Sequence, residues 1–143
     1  MLLILVTAFL VVYILPHRVR ARPEVTGVVS QEGVPVAGIE LRLVNPLADE
    51  TCASEGLVAI TDSLGAFQFP DSMGWGLPRI LGHADKAFRW TLCLLQAEVW
   101  NPVYEGLWGI GPEPPPRDAI TCEFDEHGTL ACSGEHEMST DYW

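Results

Sequence analysis

The chain has 143 residues, 48% of them hydrophobic, and a formal net charge of −11. That length suits a single packed core, and that apolar content excludes global disorder. The acidity argues against nucleic acid as a partner, because binding it takes a basic surface that displaces counterions.

Residues 1–15, MLLILVTAFLVVYIL, carry no charge and are followed by Pro16 and a basic cluster containing His17, Arg18, Arg20 and Arg22. The run matches the upper limit of a signal-peptide apolar region and falls short of the roughly 20 residues of a full transmembrane helix. Residues 1–22 are therefore expected as an N-terminal hydrophobic helix with a basic flank, a signal peptide or a membrane anchor, outside the globular fold. Two signals disagree about orientation. Arginines on the C-terminal flank favour a domain kept in the cytoplasm. Four cysteines behind an apolar N-terminus favour an oxidising compartment. Weighting the cysteines, we expect a domain in the periplasm, inner-membrane anchored or secreted, with a cytoplasmic-facing anchor as the alternative. Without Arg18, Arg20 and Arg22, five basic residues face nineteen acidic ones, a balance of −14. Such a domain suits a basic protein surface as partner.

Beyond Arg22 the chain breaks into short apolar runs separated by Gly, Pro, Asn and Asp. Residues 25–29, VTGVV, are largely β-branched and predict a strand. A turn at residues 31–33 and a stiff stretch at 34–38 lead to residues 39–43, where apolar and charged residues alternate as in a strand with one wet face. Asn45 and Pro46 end it, and a polar loop carries Cys52. Residues 57–61 predict another strand, and TDSLGAFQFP at 61–70 follows. There Asp62 suits the first position of a turn and Gly65 a left-handed one, while Phe67 and Phe69, two apart, enter the core from one strand face.

Residues 71–83 are rich in glycine and predict an irregular loop holding Trp75. Residues 87–98 form the longest expected strand, with Phe88, Trp90, Leu92 and Leu94 on one face and Arg89, Thr91, Cys93 and Leu95 on the other. A further strand at 103–108 ends on Trp108, and PEPPP at 112–116 is an extended spacer. Residues 122–132 read as a hairpin around a turn at 125–128, and the acidic tail at 135–143 is loose. Six to eight short strands predict an all-β sandwich over residues 23–134.

Little in this pattern carries chemistry. Hairpin closure brings Cys122 to Cys132 and leaves Cys52 and Cys93 as the second pair, although four cysteines allow three pairings. Asp62 lacks convergent partners and reads as a turn former ahead of a calcium ligand or catalytic carboxylate. His17, His83, His127 and His136 form no metal pattern, and no serine sits in a GxSxG context. No catalytic residue, metal or cofactor is expected. Trp75 and Trp108, in or beside loops, are the aromatics suited to a partner interface.

Three stretches carry a resemblance: VTGVV at 25–29, GVPVAGIEL at 33–41 and TDSLGAFQF at 61–69. Together they resemble the pattern G-x-V, G-x-P-V-A-G-A-x-V and T-D-x-x-G-x-F-x-F of carboxypeptidase-regulatory-like domains, over about residues 24–70. The later FRWTLCLLQAEVW and ITCEF look like a bacterial family of this type. The resemblance implies a seven-strand transthyretin-like, Ig-like β-sandwich that is noncatalytic, with no active-site residue carried over. It also implies framework positions at Cys93 and Cys122, a rival to the pairing above. Three functions follow in order of expectation: an envelope-associated module binding a protein, a periplasmic inhibitor or immunity-type protein covering a basic toxin or enzyme, and a hydrolase or metal-dependent enzyme around Asp62 and the histidines.

Overall fold

The structure, a computed structural model, describes residues 17–45, 52–76, 86–111 and 117–134. Every regular element in them is a strand: β1 (His17–Arg22), β2 (Glu24–Gln31), β3 (Val34–Pro35), β4 (Glu40–Val44), β5 (Leu57–Ile60), β6 (Ala66–Phe69), β7 (Ser72–Gly76), β8 (Lys86–Gln96), β9 (Val99–Gly111), β10 (Arg117–Phe124) and β11 (Leu130–Gly134). The expected N-terminal helix and the acidic tail at 135–143 fall outside the described residues. Among those described, no helix is long and apolar enough to cross a membrane.

The strands form three sheets. In the five-stranded sheet, β2 is central. One edge of it pairs along its whole length with β10, in parallel, and β11 extends the sheet beyond β10. The other edge is shared by β6, opposite Val25 to Val28, and β3, opposite Ser30 and Gln31. A four-stranded antiparallel sheet has the order β5-β4-β8-β9. The inner faces of these two sheets supply one core, with Val25, Val29, Phe67, Phe69 and Ile120 on one side and Leu41, Leu43, Trp90, Leu92 and Tyr104 on the other. The result is the sandwich-like all-β fold expected from alternating short strands. Gly27 is fixed by this packing: a Cβ there would lie 2.4 Å from the Phe67 ring and 2.6 Å from the Ile120 carbonyl oxygen.

A second, smaller core lies on the outer face of the four-stranded sheet, where Val44, Cys52 and Cys93 are buried and Trp100 packs against them. This explains why β8 is buried on both faces from Trp90 to Leu94, although its sequence reads as amphipathic. Arg42 closes the cluster, its guanidinium 3.9 Å from the Trp100 ring centroid.

Four sequence expectations need correction. The basic flank at 17–22 is a strand, and the loop expected around Trp75 contains the strand that pairs with it: β1 and β7 form a two-stranded antiparallel ribbon. Neither has a patterned apolar face of its own, so each is recognisable only beside the other. The strand expected at 103–108 begins at Val99 and runs through Asn101 and Pro102. Pro102 is tolerated because β9 is an edge strand with its register shifted beside Cys93, where a missing N–H removes no second ladder bond. The strand inventory is also longer than six to eight, with eleven segments among the described residues.

Candidate functional site

Asp62 spends its carboxylate on the backbone. Its Oδ1 accepts N–H bonds from Leu64 (2.8 Å) and Ala66 (2.9 Å), its own N–H donates to the Ala66 carbonyl, and its carbonyl accepts from Gly65. Gly65 has φ +70° and Phe67 and Phe69 are buried with their rings edge to face. The motif is thus a turn that feeds two aromatics into the core. Asp125 repeats the device. Its Oδ1 accepts from His127 (2.9 Å) and Thr129 (2.7 Å), its N–H donates to the Thr129 carbonyl, and Gly128 at φ +77° donates to the Asp125 carbonyl.

These turns stand at one end of the sandwich. β10 runs parallel to β2, so the Asp125 turn lies beyond the same end as the Glu32–Gly33 turn. Gly65 bonds there to Val29, and Gln96, which precedes the Ala97–Glu98 turn, donates to the Gly128 carbonyl at 3.5 Å. Glu32, Asp62, Glu98, Asp125 and Glu126 make this end acidic, and none of the four turns contains Lys or Arg.

Thr61 lies beside this end, where the chain passes from β5 in one sheet to β6 in the other. It is buried; its N–H donates to the Ile39 carbonyl (3.0 Å), its hydroxyl accepts from the Ile39 N–H (2.9 Å) and donates to the Val36 carbonyl (2.8 Å). Here β5 and β6, consecutive in the chain, belong to different sheets: β5 bonds to β4 and β6 to β2. An open groove of about 830 Å³ adjoins the two, walled also by β2 and β10. Asp62 is its one charged lining residue among the described residues, and Thr26, Gln68 and Thr121 are uncharged polar members. Val28, Val58 and Ile60 line it while remaining 44%, 49% and 62% exposed. The sequence conceals this groove, because it arises from how consecutive strands diverge.

Trp75 is 74% exposed on β7, at the opposite end from the acidic turns, since β1 precedes the start of β2 and β7 follows the end of β6. Trp108 lies in β9, and its side chain is outside the described residues. Disulfides join Cys52 to Cys93 and Cys122 to Cys132, not the Cys93 and Cys122 that the resemblance brought forward. The second bond links residues directly opposite each other on β10 and β11. Disulfides of this kind are compatible with an oxidising compartment. Among the described residues, no group of three or more His, Cys, Asp or Glu side chains is placed to hold a metal ion. No family model, curated protein or solved structure matches the chain.

Proposed function

We propose that the chain is a noncatalytic β-sandwich module, held at the inner membrane through residues 1–15 with its domain in the periplasm, that binds a protein partner in the groove beside β5 and β6. The observation that carries this reading is the groove itself: an apolar wall with Val28, Val58 and Ile60 exposed, on a strongly acidic chain. A concave surface lined mainly by apolar side chains with a few polar groups is a default place for a bound partner. The carboxypeptidase-regulatory-like resemblance fits the same assignment. β2, β4, β5, β6, β8, β9 and β10 serve as the seven sandwich strands, with β1, β3, β7 and β11 as additions. The commitment of Asp62 to its own turn supports a noncatalytic role.

The acidic turn end favours a second reading, an inhibitor or immunity-type protein that covers a basic toxin or enzyme. One experiment separates the two: pull-down from the native envelope with the full chain as wild type, Ile60→Asp, and Glu98→Lys with Glu126→Lys. Loss of a partner on Ile60→Asp alone supports the groove. Loss on charge reversal alone, matched by release in high salt, supports the inhibitor. The same proteins recovered by all three would rule out both surfaces.

A further inference from the structure

The ribbon of β1 and β7 sets Arg18 opposite Trp75 and Arg20 opposite Met73. Residues two apart on a strand share a face, so two arginines, a tryptophan and a methionine lie together, while Val19 and Gly74 occupy the reverse face. Trp75 is 74% and Met73 48% exposed, and Arg18 is exposed beside them. Arg20 is half-buried, its side chain 27% exposed, and forms an ion pair with Asp71 at 3.9 Å, while Glu24 follows the end of β1. Arg22 does not share this duty: its Nε and Nη2 donate to the Pro70 carbonyl at 3.1 and 2.8 Å, and burial, opposed by Asp71, lowers its pKa.

We propose that this face is a membrane-contact surface, seated in the headgroup layer of an anionic phospholipid bilayer with Trp75 and Met73 at the acyl boundary and Arg18 and Arg20 against lipid phosphates. The inference rests on the membrane attachment proposed above, and chain length then keeps the start of the ribbon close to the bilayer surface. Arg18 is three residues beyond the uncharged run at 1–15, a span that cannot exceed about 11 Å. Trp75, directly across the ladder, is about 5 Å further at the backbone. The headgroup layer of one leaflet is about 5 to 8 Å deep. If residues 1–15 enter hydrocarbon, β1 begins inside or just above that layer. The residues found there match it, since Trp concentrates at membrane interfaces and each arginine near an anionic surface favours binding by roughly fivefold. The acidic turns point the other way, away from lipid of like charge.

The test uses the full chain with vesicles of phosphatidylcholine alone or mixed with phosphatidylglycerol, each with a bromine-labelled acyl chain. Trp75 emission is isolated as the difference between wild type and Trp75→Phe, and co-sedimentation reports attachment separately. The expected result is bromine quenching of the Trp75 component in the anionic vesicles. It should fall severalfold in phosphatidylcholine or on Arg18→Gln with Arg20→Gln, with co-sedimentation retained. Attached protein whose Trp75 stays open to aqueous acrylamide overturns the proposal and leaves the anchor standing. Equal quenching in both lipids overturns the anionic selectivity. Failure to co-sediment overturns the contact and the anchor together.

Discussion

The two Asp-x-x-Gly turns share every backbone hydrogen bond and differ in what surrounds the glycine, which makes them a matched pair for measurement. At Gly128 a Cβ would meet nothing within 4 Å, whereas at Gly65 it would lie 2.3 Å from the Val29 carbonyl oxygen. Gly128→Ala therefore meets only the left-handed backbone penalty, about 1 kcal/mol. Gly65→Ala adds a clash with backbone and should cost about 3 kcal/mol or more. Urea unfolding of the two variants would show the difference, and equal losses would contradict the packing at Gly65. Thr61 offers a second test. Thr61→Val keeps the shape but strands the Ile39 N–H and Val36 carbonyl, a loss of about 2 kcal/mol that should appear as a lower urea midpoint with an unchanged slope.

Among the elements, the disulfides are graded by the loops they close. Cys52–Cys93 spans 41 residues and Cys122–Cys132 spans 10, which in the chain-entropy account corresponds to about 4 and about 3 kcal/mol. Replacing Cys52 and Cys93 together by Ala should lower stability more than replacing Cys122 and Cys132, and more still because the first pair fills the Val44 and Trp100 cluster. Guanidinium unfolding of the two double variants decides the order. These elements also show what was legible in the sequence. The Asp62 turn, the Phe67 and Phe69 pair and the hairpin around Asp125 were readable because their chemistry is local, complete within about ten residues. The β1–β7 ribbon and the groove were not. The ribbon joins an arginine-rich flank to a glycine-rich stretch fifty or more residues away, and neither shows the alternation that marks a half-buried strand. The groove depends on two neighbours joining different sheets, a crossover held at Thr61 by bonds to residues 36 and 39 that lie more than twenty positions away.

Across the whole molecule, the acidic turns gather at one end, while at the other Arg18, Arg20, Arg22 and Arg117 stand among Glu24, Asp71 and Asp118, with Arg20 paired to Asp71 and Arg117 to Glu24. The net value of −11 conceals a locally positive ribbon. In the full chain in neutral detergent, iodide should quench the Trp75 component more strongly than caesium, the reverse of what an evenly acidic surface would give, because anions gather where the local potential is positive. Stern–Volmer slopes for wild type minus Trp75→Phe would check this, and equal slopes would mean that the arginines exert no field at Trp75. The central position of β2 has a different kind of consequence, in time. Its parallel partner is β10, so Glu24 must wait for Arg117 and Gln31 for Phe124. A chain emerging from a ribosome or translocon presents β2 long before that partner exists, with one edge open to any passing strand. Folding of this sheet is therefore completed only after nearly the whole domain has been delivered, and pairings of such sequence separation are slow. The window between the appearance of β2 and the arrival of β10 is when the protein is most exposed to aggregation.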